Sequence, residues 1–325
     1  LFEDVGLRKR EDDISIVAIG GGTGLSTLLR GLKGFTKRIS AVVTVTDDGG
    51  SSGAIRRELG ILPPGDFRQC LLALADAEPL MRALFSYRFE SMKEEGSTLN
   101  GHSLGNLFIA ALTDITGSFE EAVAEASRIL AVRGKVMPSS TSDVSLCAEF
   151  SDGTVVCGES TIPKVGKPIR RVFLKPEDAP PYPDYIEAVE RADVCVIGPG
   201  SLYTSVIPNL IIRGASDAIR RSKALKIYVC NVASQPGETD GYGVEDHVRA
   251  ILSHSGEPFI DIILANTRKV ELPKGWKISQ VLPDSDKVLG IDVVGDDLID
   301  VSRPTRHDPI KLAGKVLEIA RARKG

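Results

Sequence analysis

The stretch Ile14-Ser-Ile-Val-Ala-Ile-Gly-Gly-Gly-Thr-Gly-Leu25 decides the fold. Its β-branched opening reads as a buried strand, which Gly20, Gly21 and Gly22 turn sharply into the start of a helix. A helix start carries unpaired N–H groups and a partial positive charge, so a phosphate is the expected guest of Gly21, Gly22, Thr23 and Gly24. The turn lacks the full G-x-G-x-x-G pattern, so a nicotinamide dinucleotide is not implied. Further along, the strand signal Ala41–Val45 runs into Thr46-Asp-Asp-Gly-Gly-Ser-Ser-Gly53, a second polar glycine loop with two carboxylates.

Outward from this pair, short apolar runs recur at Asp193–Ile197, Ile227–Val232 and Ile260–Ala265. Such runs suit parallel strands covered on both faces. Helical stretches separate them. Leu25, Leu28, Leu29 and Leu32 form one apolar stripe, and Ser118-Phe-Glu-Glu121 is a capping box before Val123, Ala126, Ile129 and Leu130. Asp308-Pro309 supplies an N-cap and first-turn proline before Leu312, Ala313, Val316 and Leu317. The alternation predicts an α/β, doubly wound, Rossmann-like parallel sheet. The middle differs: Val144–Phe150, Ser151-Asp-Gly153 and Thr154–Cys157 read as a β-hairpin, followed by the strand signal Ile169–Leu174. One domain is expected, with halves over 13–135 and 190–325 and a small antiparallel β insertion over 140–175. The acidic stretch Glu90–Ser97 is the candidate lid loop.

The 325 residues are 42% hydrophobic, enough for a large core. Forty basic against forty-four acidic residues give a net charge of -4, and the basic residues are scattered in pairs, which argues against nucleic acid. Cys70, Cys147, Cys157, Cys195 and Cys230 show no C-x-x-C spacing, so neither a disulfide framework nor a zinc site is expected, and a reducing cytoplasm fits. No apolar run approaches the ~18 residues of a membrane span. The chain opens on Leu1, so the absence of a secretory signal is read from these residues alone.

Further segments add candidate ligand groups. In Pro63-Pro-Gly-Asp-Phe-Arg-Gln69, Asp66 and Gln69 stand in N-cap and N3 register, which a structural cap explains as well as a site does, while Arg68 suits a cleft. His102 and Asn106, in Gly101-His-Ser-Leu-Gly-Asn106, either orient a phosphate or base edge or serve structure. Gly198-Pro-Gly-Ser-Leu-Tyr203 repeats the strand–glycine turn and adds Gly200, Ser201 and Tyr203; Asn231 follows another strand. Asp47 and Asp48 either cap the next turn and bridge to Arg56 or Arg57, or hold Mg²⁺ or a ribose hydroxyl. No nucleophile–base pair is visible, so covalent hydrolase chemistry is not expected.

Taken together, GGGTGLSTLLRGLK, TDDGGSSGAIRRELG, PPGDFRQCLLALAD, GHSLGNL, GPGSLYTSVIPNL, NVASQPGETDGY and RHDPIKLA resemble the gluconeogenesis factor (YvcK-type) family, relatives of 2-phospho-L-lactate transferase. The resemblance spans roughly residues 14 to 320. It implies a cleft for UDP-sugars such as UDP-N-acetylglucosamine. It also implies a cytoplasmic role linking carbon metabolism to cell-envelope precursors and cell shape. It places Thr23, Asp47, Asp48, Asp66, Arg68, His102, Asn106, Ser201, Tyr203 and Asn231 on cleft segments. The transferase branch holds a metal on the strand-end aspartates, matched here by Asp47 and Asp48, but GGSSG and PPGDFRQC look like the regulator branch. Two functions follow. A regulator would hold the diphosphate on amides of Gly21–Gly24 and Gly200–Ser201, with His102 and Asn106 on phosphate or sugar. A Mg²⁺-dependent transferase would use Asp47 and Asp48 for the cation, with Arg68 and His102 neutralising charge. The implied partners are the UDP-sugar and a metabolic enzyme or regulatory protein, with a homodimer left open.

Overall fold

The computed structural model describes residues 14–89, 99–272 and 275–324; the Glu90–Ser97 stretch lies outside them. Its strands are β1 (Ile16–Gly20), β2 (Ile39–Val43), β3 (Lys135–Pro138), β4 (Ser145–Phe150), β5 (Val155–Cys157), β6 (Ile169–Lys175), β7 (Val194–Ile197), β8 (Leu225–Val229), β9 (Ile262–Asn266), β10 (Lys287–Val288) and β11 (Ile291–Asp296). Eight of them form one sheet in the order β10-β11-β9-β8-β7-β1-β2-β3. Every neighbour pair is parallel except β10 with β11. This is the expected doubly wound α/β architecture. All five residues of β1 are buried, because helices cover both faces of a central strand.

The chain runs from β1 outward through β2 and β3, then returns to β7 on the other side of β1. The order therefore reverses between the carboxyl ends of β1 and β7, the topological switch point at which such sheets leave a crevice. Strand β2 ends at Val43 and β8 at Val229, earlier than the apolar runs suggest, so Thr44–Thr46 and Cys230–Val232 belong to the mouth.

The expected helical faces hold. Leu25, Leu28, Leu29 and Leu32 are fully buried, as are Leu312, Ala313, Val316 and Leu317. Helix Gly22–Leu32 packs directly on helix Pro309–Lys324: a Cβ on Gly31 would collide with the Pro309 carbonyl. Ser118 caps its helix by accepting from Glu121 N–H (3.2 Å), and Asp308 accepts from Ile310 and Lys311 N–H (2.8 and 3.0 Å). Ile129, expected on the buried side, is exposed, because the helix Phe119–Ile129 ends there and its inner face is Ala122, Val123 and Ala126.

The insertion is a three-stranded antiparallel sheet, order β5-β4-β6. Leu146, Ala148, Phe150, Val172 and Leu174 join the main core, so it packs as part of the body. Cys147 and Cys157 pair across β4 and β5 and are joined in a disulfide, a correction to the reading of the five cysteines as implying no disulfide framework. The two lie at equal distances along the chain from Asp152 in the hairpin turn, which sets them opposite each other. Cys70, Cys195 and Cys230 are free and buried. No helix among the described residues is long and apolar enough to cross a membrane.

Candidate functional site

The glycine turn after β1 is built by close backbone approach. A Cβ at Gly21 would lie 2.6 Å from Thr44 Cγ2 and 2.7 Å from Asp66 Oδ2, and one at Gly24 would strike the Pro199 carbonyl. Only glycine lets the turns after β1 and β7 touch. Asn209 secures the junction, its Nδ2 donating to the Gly20 carbonyl (3.2 Å) and the Ser205 carbonyl (2.7 Å). Not every amide of these turns is available to a ligand. Gly22 N–H donates to Asp66 Oδ2 (2.6 Å), and Gly200 N–H to Asn231 Oδ1 (3.3 Å). The N–H groups of Thr23, Gly24 and Ser201 have no acceptor among the described residues.

Between the turns lies a cavity of about 440 Å³, within the range of small-ligand sites. It gathers Gly21, Gly22, Thr23, Gly24, Gly200, Ser201 and Asn231 from the sequence-derived candidates. Gln235 and Glu238, from the loop whose sequence offers amides and carboxylates to the mouth, also line it, as do Arg306 and His307, which were not singled out although they lie in the quoted RHDPIKLA segment. Asn231 Nδ2 donates to Gln235 Oε1 (3.3 Å), and Gln235 Nε2 donates to Ser201 Oγ (2.7 Å), so one polar chain ties the β7 and β8 loops. Burial pushes the Glu238 carboxyl up to about 7 against the pull of the Thr204 hydroxyl, which donates to it at 3.2 Å. Burial pulls His307 down to about 4, and its Nε2 has no hydrogen-bond partner among the described residues.

Asp47, Asp48, Asp66, Arg68, His102 and Asn106 are not among the residues lining this cavity; Asp66 links their group to the glycine turn. Asp66 is no N-cap: its helix, Pro64–Leu74, is preceded by Pro63, and Asp66 points from the first turn to Gly22. Burial, with Asp47 nearby, raises its carboxyl to about 7. Asp47 Oδ1 accepts from Gly49 N–H in the next turn (2.9 Å), and Asp48 Oδ1 accepts from Ser160 N–H of the insertion (2.8 Å), a contact neither of its readings names. Arg56 pairs instead with Asp143, and Arg57 donates to the Asp48 carbonyl. The insertion adds Glu159, which accepts from Thr46 Oγ1 (2.5 Å) and is pushed well up by desolvation and by Asp66 and Asp47. Crowded carboxyls in a low-dielectric corner retain protons. Among the described residues no group of three or more His, Cys, Asp or Glu is arranged to hold a metal ion. Asp47 and Asp48 are engaged separately, each accepting one backbone N–H on Oδ1. Tyr203 does not line the cavity; its buried hydroxyl meets that of Tyr242 at 2.8 Å.

A parallel sheet with two glycine turns at its switch point and a polar cavity between them defines a doubly wound, Rossmann-like α/β protein. The family model of 2-phospho-L-lactate transferase CofD matches residues 16–299, and the chain belongs to that family. It is 49% identical over 313 residues to a gluconeogenesis factor of Halalkalibacterium halodurans, covering 94% of this chain and 96% of that one. It is 48% identical to a gluconeogenesis factor of Bacillus subtilis strain 168, covering 94% and 97%. A crystal structure of a Bacillus halodurans protein superposes with a TM-score of 0.89 at 47% identity, covering 94% of this chain and all of that one.

Proposed function

We propose that the chain is a cytoplasmic UDP-sugar-binding regulator of carbon metabolism and of cell-envelope precursor supply, and so of cell shape. The observation that carries this is the switch-point cavity, where the uncommitted N–H groups of Thr23, Gly24 and Ser201 meet Arg306. Backbone donors at a helix start plus one guanidinium suit a diphosphate. The name shared by the relatives from Halalkalibacterium and Bacillus supports the metabolic half of the reading. UDP-N-acetylglucosamine is the ligand the family resemblance supplies. Regulation requires that the ligand bind one conformer or one partner complex better than another, and the partner is a metabolic enzyme or regulatory protein.

The match to a transferase family favours a second reading, Mg²⁺-dependent transfer of a phosphorus-containing group. The separate engagement of Asp47 and Asp48 weighs against it. Calorimetric titration with UDP-N-acetylglucosamine, with and without Mg²⁺ and with analysis of the recovered ligand, separates the two. The regulator reading expects binding of intact ligand in both conditions, retained within about threefold in Asp48→Asn, the loss of at most a weak contact. Metal-dependent binding with conversion, lost in Asp47→Asn, would establish the transferase, and no binding in either condition would reject the ligand.

A further inference from the structure

The polar group beside the glycine turn contains a chain of hydrogen bonds whose direction is fixed from one end. Arg68 Nε approaches the Asn106 side chain at 2.9 Å. A guanidinium only donates, so the atom facing it is the Asn106 oxygen, and the amide orientation is settled by that contact. Asn106 Nδ2 therefore faces Ser51 Oγ (3.1 Å) and donates to it. Ser103 N–H donates to the same oxygen at 3.4 Å. Both acceptor positions of Ser51 are then filled, which leaves its single proton one use: donation to His102 Nδ1 at 3.2 Å. Asn106, Ser103 and Ser51 are all more than nine-tenths buried, so water does not offer the relay another direction.

Two consequences follow. Ser51 beside an imidazole nitrogen has the look of a nucleophile and its base, a pair absent from the sequence reading. With both lone pairs occupied by N–H donors, though, its oxygen has none left for attack, and the serine serves to position the histidine. His102, accepting at Nδ1, carries its proton on Nε2, and no described residue accepts that N–H. Three side chains, of which Arg68 sits two residues beyond the aspartate that holds the glycine turn, and the Ser103 backbone N–H thus serve to aim one donor.

We propose that Arg68, Asn106 and Ser51 form a one-way relay that fixes His102 as its Nε2–H tautomer, and that this N–H donates to an oxygen on the part of the bound nucleotide sugar that extends beyond the switch-point cavity, which His102 does not line. The relay stands on the contacts above, whereas its use on the ligand rests on the nucleotide-sugar reading. The arrangement selects for an acceptor at that position, a phosphoryl, hydroxyl or carbonyl oxygen, and against a donor.

Nitrogen-15 correlation spectra of the imidazoles test both parts. The chain has four histidines, so His102→Gln assigns the signal by its disappearance. At about pH 8, where an ordinary imidazole is neutral, the free protein should show His102 protonated on Nε2. Asn106→Asp keeps the contact to Arg68 and replaces the donor facing Ser51 by an acceptor. Ser51 then turns its proton to the new carboxylate, and its oxygen takes a proton from Nδ1, so the tautomer should invert. Ser51→Ala should give a mixture of tautomers. Nδ1 protonation in the unaltered protein, or an unchanged tautomer in both variants, would overturn the relay. Titration with UDP-N-acetylglucosamine should shift the His102 Nε2 signal, and Asn106→Asp should weaken binding about tenfold, the size of one lost hydrogen bond to a ligand oxygen. Binding that leaves the signal unmoved overturns the ligand contact alone. No binding to the unaltered protein removes the nucleotide-sugar reading, and with it the contact, while the relay is decided by the spectra of the free protein.

Discussion

At the scale of single residues, Glu238 is the clearest case of a side chain whose chemistry the fold creates. Its carboxyl is held at about 7 by burial, well above its ordinary value, so the folded state binds a proton that the unfolded chain has released. The stability linked to this proton is fully present below the unfolded pKa of ~4.3 and is lost as pH rises through about 7. Glu238→Gln mimics the protonated carboxyl. Denaturant midpoints measured from pH 5 to 8 should fall less steeply in this variant than in the parent, and above pH 7 the variant should be the more stable. A slope unchanged by the substitution would show that Glu238 is not the group that titrates. The sequence offers Glu238 only as one carboxylate in a polar loop. What buries it is the fold of that loop, in which Gln235 N–H donates to Thr239 Oγ1 (2.9 Å), and no local pattern reveals such a contact. Asp66 is the converse: a capping register is legible, yet the carboxylate reaches a backbone N–H forty-four positions away.

At the scale of elements, what could be read was whatever depends on burial from both faces. β1 and β7, continuous β-branched runs in the middle of the sheet, were legible, and so was the turn each feeds. β3 and β11 were not. β3 is an edge strand ending in Pro138, and β11 has a half-exposed pattern interrupted by Gly295, so neither carries the apolar run that marks an interior strand. The contact between turns yields a sharp expectation. Gly24→Ala places a methyl against the Pro199 carbonyl, and forcing the loops apart should cost about 1–3 kcal/mol in chemical denaturation. The same variant should lose ligand binding, since Thr23, Gly24 and Ser201 no longer converge; full binding would show that these amides are not the cradle. In the insertion, Cys157→Ser removes the covalent tie between β4 and the three-residue β5, whose next residues reach Asp48 and Thr46. The expected loss is roughly 2–3 kcal/mol for so short a loop, read as the difference in unfolding free energy under oxidising conditions. Under a thiol reductant the two proteins should converge.

At the scale of the whole molecule, the cavity draws on loops from residue 21 to residue 307, so a ligand there binds only the folded chain. UDP-N-acetylglucosamine at a hundred times its Kd should raise the unfolding free energy by about 2.7 kcal/mol. A denaturant midpoint that ignores the ligand would contradict the site. Which loops face the mouth followed from the sequence, because strand ends in a parallel sheet share one edge. How they pair across it did not: Asn231 with Gly200, Gln235 with Ser201 and Asp66 with Gly22 are matches set by packing.

Gly31 receives the carbonyl of Pro309, so the helix behind the glycine turn is completed by a segment made about 280 residues later. A chain still on the ribosome presents the apolar stripe of that first helix without its cover, and chaperones have their longest access to it during this interval. The cavity, lined in part by Arg306 and His307, is completed only when this segment joins the fold, so a chain truncated before it would lack the helix cover and these two side chains together.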